Sequence, residues 1–271
     1  MRLDHSSRIA NRLDFVFETG STNTDLVAAA LATPTDYPDF SALVAAHQTT
    51  GKGRNGRQWQ APAGTSMAVS VLLRPQIATS PNDFGWLPLL AGLAMTKAVR
   101  ELLPDSDVGL KWPNDVLVQG RKISGVLAEL LSDLSGVVVG AGVNISLTAD
   151  QLPVPTATSL ALEGAALPSD ESERFDLVLA AYLSNLRELY EAWVAARANP
   201  IASGLHAAVI ANCLSIGQEV RAILPGDQDL VGKAITIDES GRLVLAEDGT
   251  GRLTALAAAD IVHLRQLRSE F

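Results

Sequence analysis

The sequence predicts an α+β protein with a mixed, mostly antiparallel sheet and flanking helices, followed by a small C-terminal β-barrel. Two observations lead to this fold class. Strand-like and helical segments are interspersed over the first part of the chain, with hairpins among the strands, which does not indicate a repeating βαβ unit. Five short strand-like segments then follow within about fifty residues, which is typical of a barrel. We therefore predict one domain over residues 1–212 and a second over residues 213–271.

The composition limits the kind of protein this can be. The 271 residues are 47% hydrophobic and carry 21 basic against 30 acidic side chains, a formal net charge of −9. Such a chain should be repelled by nucleic acid overall, because Lys and Arg contacts to phosphate dominate that binding. Cys213 is the single cysteine, and no stretch has the pattern of a signal peptide or a membrane span. We therefore expect a cytoplasmic protein without a disulfide framework.

The first half of the chain contains most of the predicted strands. Residues 11–18 alternate as a strand does, and Ser21, Thr22 and Asn23 then open a helix to Leu31. Helix capping is one interpretation of those three side chains, and a polar pocket at the helix start is the other. The remaining elements are buried strands at 42–46, 67–73 and 137–145, a helix at 84–103, and a hairpin that joins 116–118 to 123–127.

The second half begins with a Pro- and Thr-rich loop at residues 148–158. Residues 170–198 form a predicted amphipathic helix, whose aromatic side chains we assign to core packing, and residues 201–211 form a shorter helix. The C-terminal strands are predicted at 218–224, 230–238, 242–246, 252–256 and 261–264, with breaks at 225–227, 240–241 and 248–249.

Residues 48–59, the glycine loop, concentrate glycines and positive charge. No acidic residue occurs between Phe40 and Asn82, so the loop cations predict a small anionic ligand. The spacing also fits a dinucleotide-binding fingerprint, but Pro62 and Gly64 break any helix at this point, which argues against that interpretation. A solvated loop whose charges serve only solubility is the remaining alternative. The glycines and cations are Gly51, Lys52, Gly53, Arg54, Gly56 and Arg57.

A second polar motif covers residues 111–115, Lys-Trp-Pro-Asn-Asp. The turn at residues 119–121 should bring Asp115 and Lys122 close together across the hairpin. Either lysine of this region alone would suit a solvated surface. Because Lys111 and Lys122 bracket the Trp-Pro-Asn-Asp segment, we predict a charged site instead. The small residues of strand 137–145 would let a ligand or a neighbouring backbone approach closely.

Together these stretches resemble the biotin protein ligase family over nearly the whole chain. The resemblance implies a catalytic domain of the class II aminoacyl-tRNA synthetase-like type that biotin and lipoate ligases share, with a C-terminal SH3-like barrel. It also implies a monofunctional ligase without an N-terminal DNA-binding domain. The matching segments, in order, are residues 20–23, 48–57 with Trp59, 111–115, 121–122, 125–129, 140–144 and 157–160.

The activity that the resemblance implies has two steps. Biotin and ATP first give biotinyl-5′-AMP and pyrophosphate. The biotinyl group then passes to a lysine of the biotin carrier domain of an acyl-CoA or pyruvate carboxylase. The implied metal is Mg²⁺, held mainly by ATP oxygens with an acidic residue such as Asp115 nearby. The alternative role for Asp115 is that of a structural partner for a loop lysine. No DNA and no membrane are among the implied partners.

The resemblance also implies roles for single residues. Trp59 would stack on adenine. Lys52 departs from the family, which usually carries Arg there, and because Lys lacks the planar fork we expect a less firmly held adenylate. The implied catalytic residues are Lys122, Arg54 and Lys111; the implied biotin contacts are Ser21, Thr22, Asn23, Gln48, Lys52, Gly53, Arg54 and Lys122; the implied nucleotide contacts are Gly51, Arg57, Trp59, Asn114 and Asn144.

Three alternatives make different predictions. A lipoate or octanoate ligase of the same superfold would not need the polar group at residues 21–23. A non-catalytic biotin-binding module would show no ATP dependence. A DNA-binding regulator would need a helix-turn-helix module, for which the roughly twenty residues before Gly20 are too few. We further expect the glycine loop to be mobile without ligand, and the barrel to dock the carrier domain or cover the nucleotide.

Overall fold

The computed structural model describes residues 1–76, 83–224 and 228–264, so the predicted break at 225–227 lies outside the described residues. The helices are α1 (Ser6–Ile9), α2 (Thr22–Ala32), α3 (Leu87–Leu102), α4 (Glu171–Ala195) and α5 (Leu205–Asn212). The strands are β1 (Arg12–Thr19), β2 (Ser41–Gln48), β3 (Gly51–Lys52), β4 (Gln58–Trp59), β5 (Ser66–Leu73), β6 (Val108–Lys111), β7 (Asp115–Val118), β8 (Arg121–Leu130), β9 (Val137–Asn144), β10 (Glu219–Leu224), β11 (Gln228–Ile237), β12 (Leu243–Glu247), β13 (Leu253–Leu256) and β14 (Asp260–His263).

Seven strands form the main sheet in the order β1-β2-β5-β9-β8-β7-β6. Only β1 and β2 pair in parallel, because α2 crosses over between them, and the other neighbours are antiparallel. The predicted mixed, mostly antiparallel sheet is therefore confirmed. Residues of β5 are buried throughout, since this strand lies between β2 and β9 and is covered on both faces.

Helices cover both faces of the main sheet. On one face Leu26 and Ala30 of α2 pack against Leu43, Leu72 and Val138. The residues that alternate with these, including Val44, Val71 and Val139, belong to the larger core formed with α3 and α4. The predicted apolar face of α4 is buried there at Phe175, Val178, Leu179, Tyr182, Leu186, Tyr190 and Trp193, so core packing of its aromatic residues is confirmed.

The C-terminal part forms one antiparallel sheet in the order β13-β12-β11-β10-β14, as the five predicted strands require. It packs directly on the main sheet. Leu214 donates its backbone N–H to Leu110 at 2.8 Å, and Trp112 Nε1 donates to the Gly241 carbonyl at 3.0 Å. Because Val220 of β10 belongs to the same buried cluster as the main sheet, the two sheets share one core. The domain boundary between residues 212 and 213 stays a prediction.

The structure differs from the predicted elements mainly at helix ends. The short helix α5 begins at Leu205 rather than at residue 201, because Gly204 is left-handed (φ 76°) and ends the preceding turn. The long helix α4 ends at Ala195, after which Arg197 and Ala198 have positive φ. A 3₁₀ turn at Asp83–Trp86 precedes α3. Helix ends depend on a few local contacts, which periodicity does not resolve.

The Trp86 indole links the start of α3 to the turn between β11 and β12, and the contribution of this contact to stability can be measured. Its Nε1 donates to the Glu239 carbonyl at 2.7 Å, and the side chain is 1% exposed. Trp86→Phe should lower the free energy of unfolding by about 1–3 kcal/mol more than Trp193→Phe does. The control is matched because Trp193 is equally buried, but its Nε1 has no hydrogen-bond partner among the described residues. Equal losses in urea titrations of the two variants would contradict this account.

Candidate active site

A single cleft opens where the glycine loop, the main sheet and β14 meet. Its empty volume, including open solvent at the mouth, is about 960 Å³. Three polar residues at the start of α2 lie at its inner end, and five cations lie along its sides. The lining residues are Ser21, Thr22, Asn23, Gln48, Lys52, Gly53, Arg54, Arg57, Gln58, Trp59, Ala68, Lys111, Trp112, Pro113, Asn114, Asp115, Lys122, Gly125, Val126, Leu127, Gly140, Ala141, Gly142, Asp260 and Ile261.

Hydrogen bonds join four side chains into what we call the polar floor: Thr22, Asn23, Gln48 and Ser70. Gln48 Oε1 accepts from the Thr22 backbone N–H at 2.8 Å and lies 3.1 Å from the Thr22 hydroxyl. Ser70 Oγ lies 2.8 Å from Thr22 Oγ1 and 2.6 Å from Asn23 Oδ1. The floor is therefore assembled from α2, β2 and β5 of the main domain fold, and not from a mobile segment.

The Asn23 amide is oriented by strand β8. Its Nδ2 donates to the Leu127 carbonyl at 3.1 Å and to Glu129 Oε1 at 3.0 Å. Both partners are acceptors, so the amide nitrogen has to face them and the amide oxygen faces Ser70. Ser21 occupies the N-cap position of α2 but makes no side-chain cap bond. The pocket interpretation of residues 21–23 therefore describes their contacts better than side-chain capping does.

Two glycines of β9 make room for the site. A Cβ on Gly140 would overlap Asn23 Oδ1, and one on Gly142 would lie 2.5 Å from Trp59 Cε2. Side chains from α2 and from the glycine loop thus occupy the space that glycine leaves free. The sequence predicted a close approach at this strand, and the groups that approach are these two side chains.

Three of the five cleft cations, Lys122, Arg54 and Arg57, contact internal partners. Lys122 Nζ lies 2.6 Å from Asp115 Oδ1, which confirms the predicted proximity across the hairpin. The hairpin turn permits this because Gln119 and Gly120 both have positive φ (49° and 76°), as a two-residue turn of this type needs. Arg54 Nη1 donates to Asn114 Oδ1 at 3.1 Å. The cleft therefore holds its positive charge in defined positions.

Burial lowers the pKa of two of these cations. Burial lowers the pKa of Lys111 below its ordinary value, and the nearby Asp115 carboxylate offsets part of this shift. Burial likewise lowers the pKa of the Arg54 guanidinium, with Asp260 acting in the opposite direction. Lys111 is the group for which this shift matters chemically, because arginine stays protonated across the accessible pH range.

Most of the predicted site residues line the cleft, and two do not. Asn144 turns its amide away and donates to the Thr158 carbonyl at 2.9 Å. Gly51 lies behind the lining, where a Cβ would overlap the Trp59 carbonyl. Arg74, which also lies in the acid-free stretch between Phe40 and Asn82, contacts Ser135 outside the cleft.

Sequence reasoning missed several residues of the site. Asp260 and Ile261 reach the cleft from β14. Asp260 Oδ1 accepts a hydrogen bond from Arg57 Nη2 at 2.6 Å. The two residues are 203 positions apart in the sequence, so no local sequence pattern predicts this contact. Ser70 and Glu129 lie behind the lining and bond Asn23. Ser70 is absent from the prediction because it sits singly in an apolar strand, and Glu129 was included only within the matching segment 125–129, without a role.

The described residues include no group of three or more His, Cys, Asp or Glu side chains with the geometry of a metal site. Asp115, the predicted magnesium contact, is paired with Lys122, and its contact with magnesium stays a prediction. Over the same residues, no helix has both the length and the apolar character needed to cross a membrane.

Two family models match the chain. The Biotin/lipoate A/B protein ligase family matches residues 19–144, and the Biotin protein ligase C terminal domain matches residues 215–264. A Biotin--[acetyl-CoA-carboxylase] ligase of Mycobacterium tuberculosis is 43% identical over 257 residues, which cover 94% of this chain and 90% of that protein. The chain belongs to the biotin protein ligase family. The similarity extends over both sheets.

More distant relatives and solved structures agree with this membership. The Bifunctional ligase/repressor BirA of Escherichia coli is 32% identical over 211 residues, which cover 77% of this chain and 62% of that protein. The structure of the biotin protein ligase from Aquifex aeolicus in complex with biotin and ATP superposes with a TM-score of 0.70 at 27% identity, covering 93% of this chain and 99% of that one. The predicted fold class is thereby confirmed.

The glycine at position 140 leads to a prediction about the cleft. Gly140→Ala should cost about 1–3 kcal/mol of stability, because the added methyl group displaces the Asn23 amide from its partners. Gly85→Ala is the control, since a Cβ there would meet the Ser240 carbonyl at an ordinary 3.5 Å. Thermal unfolding of both variants tests this, and a Gly140→Ala protein as stable as the control would contradict it.

Proposed function

We propose that this family member activates biotin with ATP and transfers it to a lysine of a biotin carrier domain. The observation that carries the proposal is the joining of a polar floor to a cationic cleft in one cavity. The 43% identical relative is named a Biotin--[acetyl-CoA-carboxylase] ligase, and the similar Aquifex structure contains biotin and ATP. A carboxylate and a triphosphate are both anions, so this reaction needs the charge that the cleft provides.

The polar floor suits the ureido ring of biotin. Three successive oxygen–oxygen contacts connect the side chains of Asn23, Ser70, Thr22 and Gln48 in that order. Only the Ser70 and Thr22 hydroxyls have a hydrogen to donate, so two hydrogens serve three contacts. The floor is therefore rich in acceptors, and the two N–H groups of a cyclic urea match it. The dithiolane ring of lipoate has no N–H group, which is why we favour biotin over the lipoate or octanoate alternative.

The cations suit the first chemical step. A carboxylate oxygen of biotin attacks the α-phosphorus of ATP, the bond from that phosphorus to the bridging oxygen breaks, and pyrophosphate leaves. We assign Lys122 and Arg54 to the carboxylate and the α-phosphate, with Lys111 adding positive potential from the β6 end. Lys52 and Gly53 would close over the carboxylate. Lys122 has to exchange its Asp115 partner for substrate oxygens in this scheme.

The nucleotide would occupy the outer part of the cleft. We assign Trp59 to the adenine ring, because its indole lies along the cleft wall over Gly142, with Lys122 Nζ 5.9 Å from the ring centroid. Arg57 and Asn114 are the proposed phosphate and ribose contacts. A role for Gly51 would use its backbone, and a role for Asn144 would require its amide to leave Thr158.

The second step transfers the biotinyl group. The acceptor lysine amine attacks the acyl carbon of the mixed anhydride, the acyl–oxygen bond breaks, AMP leaves, and the amine loses a proton. We propose the carrier domain of an acyl-CoA or pyruvate carboxylase as acceptor. Magnesium would enter on the phosphate oxygens of ATP, with Asp115 as a contact only after it separates from Lys122. The absence of DNA binding, the cytoplasmic location and loop mobility without ligand stay predictions.

Pyrophosphate release tests the proposed function. The enzyme should release pyrophosphate with biotin and ATP, and roughly 100-fold or more slowly with lipoate, because lipoate leaves the acceptors of the floor unpaired. Equal rates with lipoate would refute the biotin assignment.

Thr22→Val should raise the KM for biotin about tenfold, since it removes the hydroxyl between Ser70 and Gln48. Thr24→Val is the matched control, because Thr24 is exposed on the same helix.

The lowered pKa of Lys111 predicts a pH dependence. The ammonium form supplies positive charge, so the rate of adenylation should fall as the pH rises through a pKa below the ordinary 10.5. Lys111→Arg should move this alkaline limb to higher pH, because the guanidinium stays charged. Lys97→Arg is the control, as Lys97 pairs with Glu188 outside the cleft. An alkaline limb that is identical in the wild type and Lys111→Arg would exclude Lys111 as its source.

A further inference from the structure

The glycine loop is fastened to the C-terminal sheet through one carboxylate. Asp260 Oδ1 accepts from Arg57 Nη2 at 2.6 Å, and Asp260 Oδ2 accepts from Asn55 Nδ2 at 3.3 Å. Both donors belong to the tip of the loop, and the carboxylate belongs to β14. Arg57 and Asp260 both line the cleft, so the contact joins two of its walls, from segments that are more than 200 positions apart in sequence.

The two ends of this contact differ in how firmly they are held. On the sheet side, Asp260 pairs with Ile223 of β10, and its neighbours Ala259 and Ile261 are buried. On the loop side, the tip is a 3₁₀ turn that closes on itself through Arg57 N–H to Arg54 O at 3.1 Å. Asn55 in this turn has a positive φ of 54°. A fixed carboxylate thus holds a small self-contained turn.

The contact is placed where it can open and close. Arg57 is 62% exposed and Asp260 is 33% exposed, so water competes for the ion pair and its strength is modest. The Lys122–Asp115 pair, by contrast, joins two neighbouring strands of one hairpin and cannot control access to the cleft. Of the residues lining the described cleft, Asp260 is the acid contributed by the C-terminal sheet.

We propose that Asp260 is a positioning residue that holds the glycine loop closed and thereby retains the biotinyl-adenylate between the two steps. This inference rests on the proposed function. A mixed anhydride is lost once it diffuses away or meets bulk water, so an enzyme of this type needs closure after pyrophosphate leaves. Asp260 carries negative charge and would not contact the phosphate, so it should act through the loop. Its effect on retention should therefore be larger than its effect on the formation step, to which its partner Arg57 contributes.

Asp260→Asn tests the proposal, because it keeps the shape of the side chain and removes its charge. Adenylate release from the isolated complex should rise about two- to fivefold, and this rise should exceed any fall in the rate of biotinyl-adenylate formation, measured by pyrophosphate release in a single turnover. Asn55→Ala should act in the same direction, and its effect should be smaller in the Asp260→Asn background because both changes break one contact. Asp260→Glu should restore part of the retention.

Asp229→Asn is the matched control. Asp229 lies in the same sheet and also faces an arginine, Arg221, at 3.7 Å, but neither residue lines the cleft. This variant should release adenylate at the wild-type rate. Unchanged release in both Asp260→Asn and Asn55→Ala, or an equal rise in the Asp229→Asn control, would overturn the proposal. Failure of the wild-type enzyme to form any adenylate would instead refute the proposed function.

Discussion

The site depends on keeping positive charge inside a partly buried cleft. A buried charge loses hydration, so it needs a partner or its pKa shifts. Both solutions occur here. Lys122 and Arg57 form ion pairs with carboxylates, and Arg54 donates a hydrogen bond to an amide oxygen. Burial lowers the pKa of Lys111. An anion that enters has to share or replace these internal partners. A cleft with this arrangement of charge favours ligands that bring negative charge of their own.

The two ends of the cleft are built differently. The polar floor lies on the core of the main sheet, where Asn23 is held by groups from β5 and β8 and where Gly140 leaves it space. The opposite end consists of the glycine loop and the Asp115–Lys122 hairpin. A rigid end suits recognition of a fixed ring, since little ordering is left for binding. An end made of short turns suits the step in which substrates exchange and a leaving group departs.

Local patterns were sufficient for the elements and for part of the site. The turn predicted at residues 119–121 indicated that Lys122 lies close to Asp115, because a short hairpin brings the returning strand alongside the one before it. Asn144 shows where this reasoning stops. Its position at the end of β9 was predicted, but its amide is drawn to the Thr158 carbonyl of a distant loop and leaves the cleft. The direction of such a side chain is decided by neighbours that periodicity does not identify.

The sequence by itself determined the succession of strands and helices along the chain. It also determined the concentration of cations and glycines in one loop and the resemblance to a ligase family. These follow from hydrophobic periodicity and from conformational preferences, which act over a few neighbouring residues. Only the tertiary structure decided that Ser70 and Glu129 orient Asn23, and that Asp260 reaches Arg57 across 203 positions. Those contacts arise when separate strands pack into one core, and packing partners are set by the whole chain.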